Sequence, residues 1–360
     1  MSLPSVTRLA LARLLLGASV LAALACAPPA APPRGAPAAP TAEPTTAAAP
    51  PALRTVRYGL IFSIGNTPAY IAHERGYFAA EGIDPQFEPV QVTSEALTQV
   101  SVGNLEAATV TVGAAVLNSL ARGIDIKLIA GNDGFPPAGP GGNPFLVRKD
   151  LYDSGITDAS GLRGRKVGGN SLGVFTEYGI DQALRTAGLT IEDVEFVQVP
   201  FPDIPAAFAN RVIDAAFVAE PFGTVAITQG TAVQIVPEFM RGAQQTVIMG
   251  GPSLLRDPEL ATAFLRAYLR GLRDVQAAGF TDEIAAIVEK YTRVPAATIQ
   301  RLRLPYWDPE GRVNWDSLMD QQRFYLARGY LNYSEPLDLQ RLLSEDGPRQ
   351  AALATLNRAR

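Results

Sequence analysis

Leu105-Glu106-Ala107-Ala108-Thr109-Val110 and Ile213-Asp214-Ala215-Ala216-Phe217-Val218 are one pattern written twice: an aliphatic residue, an acid, two alanines, a variable residue and valine. The copies lie 108 positions apart. Val90-Gln91-Val92 pairs with Val197-Gln198-Val199, Gly82-Ile83 with Gly188-Leu189, and Gly123 with Gly230, at offsets of 107, 106 and 107. Each short match is weak alone, but four in one order at one spacing mark an internal repeat. Each copy also opens on a short strand ending in glycine and a polar turn, Val56 to Ile61 in the first and Lys166 to Gly168 in the second.

Within each copy, β-branched runs alternate with helical ones as strand, helix, strand, helix, strand. That order predicts a parallel sheet with crossover helices, hence two similar α/β lobes. In the first copy Thr67 is expected to cap a helix whose first turn holds Pro68, and Gly76 to end it. A helical tail follows. Asp257-Pro258 opens a run with an apolar stripe at Leu260, Phe264, Tyr268, Leu272 and Val275, and Thr281, Pro295 and Asp316 mark later helix starts. Trp307 and Trp315 are expected to pack this tail onto the lobes.

Ahead of the repeat lies an export signal. Arg8 and Arg13 precede an apolar run from Leu14 to Ala25, too short to span a bilayer, which needs about 20 residues. Leu21-Ala22-Ala23-Leu24-Ala25-Cys26 resembles a bacterial lipobox, in which the cysteine is acylated, with Ala23 where leucine is usual; the run also reads as an ordinary secretory leader. Residues 1–25 are thus expected to be signal peptide and 26–54 an Ala/Pro/Thr-rich tether, too poor in apolar bulk for a core. The formal charge of −4 becomes −6 once Arg8 and Arg13 leave with the leader, which argues against a nucleic-acid partner. Cys26 is the only cysteine in the 360 residues, so no disulfide is available to the folded part.

In open parallel sheets, ligands bind beyond the carboxyl ends of the strands, where helix starts present N–H groups. In the first lobe this selects Ser63 to Thr67 with Asn66, Thr93-Ser94, Thr111 to Ala115 with Gly113, and Asn132-Asp133-Gly134. In the second it selects Gly169 to Phe175 with Asn170 and Ser171, the adjoining Thr176, Phe201 to Asp203, and Ala219 to Phe222 with Glu220. Glycines, hydroxyls and amides recur there, with Phe62, Phe135, Phe175, Phe201 and Phe222 as expected apolar walls. Each turn taken alone also reads as an ordinary helix cap.

The residues resemble periplasmic solute-binding proteins of the nitrate, sulfonate and taurine uptake class, which includes binders of the thiamine pyrimidine precursor. The resemblance rests on Arg57-Tyr58-Gly59, Pro68, Ala72 to Gly76, Tyr77-Phe78 and Glu81-Gly82-Ile83, then on Gly103 to Ala107 and Gly161-Leu162-Arg163-Gly164-Arg165-Lys166-Val167. It continues through Asp203 to Ala207, Asp214-Ala215-Ala216 and Glu220-Pro221-Phe222. It implies a type II bilobed fold: a first lobe from residues 55–144, a second from 145–236, and a return over 237–345 with Thr246 to Met249 as the returning strand, then a tail, 346–360. It further implies a monomer that closes on a solute and delivers it to an ABC permease, without cofactor, metal or catalysis of its own.

The selected turns contain no Lys or Arg, so a guanidinium clamp on an anion is not expected. Asp133, Asp203 and Glu220 beside aromatic rings favour a neutral or donor-bearing organic solute, an amine or aminopyrimidine, over a bare inorganic anion, although a sulfonate held by the N–H groups of Gly173 to Phe175 stays open. Two rivals remain: an envelope enzyme on the same fold, against which the single histidine, His73, speaks, and a ligand-sensing receptor subunit.

Overall fold

The two quoted stretches become equivalent strands, Ala107–Thr111 and Ala215–Phe217, in a computed structural model that describes residues 52–90 and 92–358. Each residue type in the pattern has a visible job. The acid ties down the neighbouring strand: the Glu106 carboxylate accepts the Arg57 backbone N–H at 2.8 Å, and that of Asp214 accepts the Lys166 N–H at 3.0 Å. The second alanine faces a glycine, Gly59 opposite Ala108 and Gly168 opposite Ala216. A Cβ on Gly59 would lie 2.7 Å from Leu105, and one on Gly168 2.9 Å from Ile213, so the aliphatic residue of the pattern fills the space that each glycine leaves.

The strands are β1 (Arg54–Leu60), β2 (Ile83–Pro89), β3 (Ala107–Thr111), β4 (Lys127–Gly131), β5 (Asp133–Gly134) and β6 (Phe145–Arg148). They continue as β7 (Lys166–Gly169), β8 (Glu195–Gln198), β9 (Ala215–Phe217), β10 (Ala232–Ile235), β11 (Thr246–Gly250) and β12 (Tyr306–Trp307). Two separate five-stranded sheets result, ordered β2-β1-β3-β11-β4 and β8-β7-β9-β6-β10. Neither is purely parallel: β11 runs antiparallel to β3 and β4, and β6 antiparallel to β9 and β10. The sheets have one plan and differ in when the antiparallel strand arrives, first in the second sheet and last in the first. A sheet with its flanking helices is a lobe.

The chain crosses between the lobes twice, over residues 132–144 and 236–245, and the crossings are bonded together. Phe135 N–H donates to Ala243 O at 2.8 Å, Gly242 N–H to Pro136 O at 2.9 Å and Gln245 N–H to Asp133 O at 3.0 Å. Strand β12 pairs with β5, so the tail braces this hinge, and Trp307 is fully buried there. Phe135, Phe175, Phe217 and Phe239 pack at the base of the hinge, with ring centroids 5.8–6.4 Å apart.

In the tail, the helix Pro258–Ala278 buries the whole stripe Leu260, Phe264, Tyr268, Leu272 and Val275 against the first lobe. Asp257 caps it by accepting the Leu260 N–H at 2.9 Å, and Thr281 caps the next helix, Asp282–Thr292. One helix start differs from expectation. Asn66 holds the cap position of the helix Thr67–Glu74, because a 3-10 turn, Ile64–Asn66, runs straight into it; the Thr67 hydroxyl donates back to Ile64 O at 2.7 Å instead. Asp316 lies in the first turn of the helix Trp315–Ala327, whose start it marks, and Asn314 caps that helix, its side chain accepting from Ser317 N–H. Among the described residues no helix is long and apolar enough to cross a membrane. The leader, Cys26 and most of the tether lie outside the described residues.

Candidate functional site

The carboxyl ends of the two sheets face each other. Ala114 N–H, at the start of the helix Ala114–Ala121 behind β3, donates to Gly173 O at 3.1 Å, just ahead of the helix Phe175–Arg185 behind β7. This approach needs glycine on both sides: a Cβ on Gly113 would sit 3.2 Å from Gly173 O, and Gly173 has φ +71°. A segment after the helix Trp315–Ala327 clasps both helix starts. Asn118 of the first lobe donates to Tyr330 O at 2.9 Å, while the Tyr330 hydroxyl and Arg328 both donate to the Glu177 carboxylate of the second at 3.0 Å. Glu177 in turn accepts the Gly173 N–H at 2.7 Å.

In the first lobe the expected residues form one buried, internally bonded network. The Asn132 amide donates to the Thr246 hydroxyl at 2.8 Å, to Gly65 O at 3.2 Å and to the Asn66 side chain at 3.4 Å, and accepts from the Tyr268 hydroxyl at 2.6 Å. Asn66 donates to Ile61 O at 2.8 Å, and the Trp307 indole donates to Gly65 O at 2.9 Å. Asn66, Thr67 and Asn132 therefore shape the turn Ile61–Thr67 from below. Asp133 accepts from the Thr246 hydroxyl, and its burial pushes the carboxyl up to about 6. Ser63 is half-buried, its backbone tied to the Tyr70 hydroxyl at 3.1 and 3.2 Å, and Thr111 N–H donates to the Thr93 hydroxyl at 3.4 Å.

The turn after β7 is less saturated than the turn after β1. The Asn170 side-chain oxygen is buried with no hydrogen-bond donor. Ser171 donates to Leu172 O at 3.2 Å. Phe175 and Thr176 are buried; Phe175 joins the aromatic packing at the hinge base, as Phe135 does, so neither ring is an open cleft wall. Glu220 accepts the Thr224 N–H at 2.9 Å and hydroxyl at 3.0 Å across the start of the helix Phe222–Thr228, and its N–H donates to Asn143 at 3.1 Å. Burial raises the Glu220 carboxyl, opposed by the Thr224 donors and by the charge of Arg303. Arg303 enters from the tail, beyond the turns that the sequence reading searched. Phe222 is half-buried and packs on the small core under β9, while Asp203 is exposed and makes no cap bond.

The structure thus joins Asn66, Thr67, Asn132 and Asp133 in one cluster, and sets Gly113 against the Ser171–Phe175 turn. Among the described residues no bond joins Asp203 or Phe222 to either group, and Glu220 reaches the first only through Asn143, which donates to Gln245 at 2.8 Å, the Gln245 N–H donating to Asp133 O. Residues that sequence reasoning missed are Thr246 and Tyr268 in the first lobe, and Glu177, Arg328 and Tyr330 at the clasp. Phe62, an expected apolar wall, is exposed at its turn, and three residues not expected as walls join it in an apolar rim: Ile61, Phe62 and Val92 in the first lobe and Leu172 in the second are 45%, 37%, 54% and 44% exposed, all at the strand-end turns. Apolar residues beside glycine, serine and asparagine were legible there as a signal. Among the described residues no group of three or more His, Cys, Asp or Glu is placed to hold a metal ion.

A curated relative, riboflavin-binding protein RibY of Chloroflexus aurantiacus, is 27% identical over 336 residues, covering 85% of this chain and 90% of that protein. Among solved structures, the periplasmic aliphatic sulphonate binding protein SsuA of Escherichia coli matches with a TM-score of 0.66 at 17% identity, over 81% of this chain and 92% of that one. The desulfurization enzyme DszB matches at 0.57 and 19%, over 85% and 99%. At such identities these structures establish a shared fold, the type II arrangement of two lobes, and no shared chemistry. The NMT1/THI5 like family model matches residues 64–278, which span both lobes from the turn after β1 into the long tail helix; the chain belongs to that family.

Proposed function

We propose that this chain is the extracytoplasmic solute-binding component of an ABC importer, and that it takes a neutral, planar, ring-bearing solute of the flavin type between its lobes. The observation that carries the reading is the exposed apolar rim, Ile61, Phe62, Val92 and Leu172, set on both lobes where the strand ends face each other. Flat apolar contacts with a few directional polar groups suit an aromatic heterocycle, and a bare anion gains nothing from them. The riboflavin-binding relative, similar along most of both chains, supports the same solute class. Asn170 offers an unanswered acceptor for a ring N–H.

In this reading residues 55–144 and 237–345 make the first lobe and 145–236 the second. Ser63, Thr111, Gly113, Asn170 and Ser171 face the solute, with Asp203, Glu220 and Phe222 farther along the second lobe. Cys26 carries the lipid, residues 26–54 form the tether, and the partner is a permease. Chemistry on the solute is not assigned: His73 is exposed at the end of its helix away from the facing edges, its ring 5.3 Å from that of Phe87.

Titrating the purified protein into riboflavin tests this, with the flavin's own fluorescence as readout and calorimetry for an alkanesulfonate, nitrate and an aminopyrimidine. Saturable quenching at micromolar or lower protein is the expected result. Tight nitrate or sulfonate binding with flavin fluorescence unchanged would sink it.

A further inference from the structure

We propose that Glu177 determines the charge specificity of the gap, by answering from inside the protein the positive end of the helix that would otherwise attract an anionic solute. The proposal rests on the gap between the lobes being the solute site, as above. The helices Ala114–Ala121 and Phe175–Arg185 point their starts at each other, in contact through Ala114 and Gly173. Each helix start carries about half a positive charge and unpaired N–H groups, so two of them facing across a gap make a natural anion site. Here that role is filled internally. Glu177 lies in the first turn of the second helix, fully buried, and its carboxylate takes the Gly173 N–H at 2.7 Å.

The charges behind it do not cancel. Arg328 pairs with Glu177 at 3.0 Å but also with Glu192 at 2.9 Å, leaving the group one unit negative. An arriving sulfonate, carboxylate or nitrate would meet a helix start already compensated, a key N–H already occupied, no Lys or Arg on the facing turns, and the half-exposed Leu172 where its hydration should be. Removing water from an anion without supplying donors is unfavourable. A neutral ring with its own N–H groups incurs no such cost.

The test uses the wild-type protein and two variants. Wild type should bind riboflavin with an affinity that equimolar nitrate or methanesulfonate does not change, and should bind either anion only at concentrations far above those needed for flavin. Glu177→Gln, whose amide oxygen can still accept the Gly173 N–H, should gain affinity for methanesulfonate by about tenfold over wild type, the scale of one helix-terminus charge. If that variant fails to fold, Glu177→Gln with Arg328→Met and Glu192→Gln removes the whole charged group, which again goes from one unit negative to neutral, and the same gain is read there. Wild type that binds either anion as tightly as flavin overturns the proposal, as does a folded variant without the gain. Wild type that ignores flavin and anions alike, with the gain in the variant, overturns the flavin reading and leaves the role of Glu177 standing.

Discussion

The turn after β1 and the turn after β7 occupy the same place in two copies of one sheet, yet their polar groups are handled in opposite ways. In the first lobe Asn132 spends its amide on Thr246, Gly65, Asn66 and Tyr268, so the turn Ile61–Thr67 is ordered before any solute arrives. In the second, the Asn170 oxygen is buried and unanswered, and the turn is held instead by Gly173 between Ala114 and Glu177. A buried acceptor without a donor is costly, and in the proposed function a solute N–H would answer it. One turn is held by its own bonds, and the other keeps an acceptor open.

The sharpest way to break this comparison is Asn132→Ala, which strands the Tyr268 hydroxyl inside the core. A loss of about 3 kcal/mol in chemical denaturation is expected, from one or two buried groups left unpaired. A variant as stable as wild type would mean that the network does not order the turn. Next in size is the effect of pH through Asp133. Its folded pKa of about 6 lies above the 3.8 of an ordinary aspartate, so the folded state binds the proton more tightly. Its contribution is fully present below about pH 4 and is lost as pH rises through about 6, a drop on the order of 3 kcal/mol. Asp133→Asn should remove that slope from urea midpoints measured across the interval; an unaltered slope would assign it to other groups.

Gly113→Val sharpens the comparison at the contact itself, since its Cβ would stand 3.2 Å from Gly173 O. The lobes should sit farther apart, giving about tenfold weaker solute binding and a larger radius of gyration by small-angle scattering with solute present. The smallest structural effect belongs to Asn170→Ala. Melting temperature should hold or rise slightly, because an unpaired buried group is removed, while flavin affinity falls by about tenfold, the worth of one hydrogen bond in a closed site. If Asn170→Ala destabilises the protein as Asn132→Ala does, the two turns are not different after all.

Much of the scaffold was legible because its signals are local. Asp257 and Thr281 cap the helices they precede, the stripe from Leu260 to Val275 is buried, and the repeated alanines open matching strands, each directly preceded by its acid. The site was less legible. Phe135 and Phe175 look like any aromatic rings beside a turn, and their burial in the hinge packing follows only from where Phe217 and Phe239 stand. Thr246, Tyr268, Arg328 and Tyr330 act on residues more than a hundred positions away, and no spacing rule connects them to Asn132 or Glu177.

The amino-acid sequence by itself determined that two copies of one α/β unit are built, and where their strands end, because periodicity, caps and close-packed glycines act over a few residues. Only the tertiary structure decided which polar groups at those ends are already satisfied and which stay open. That depends on the tail folding back across both lobes, and a hydrogen bond answers to distance in space, not to separation along the chain.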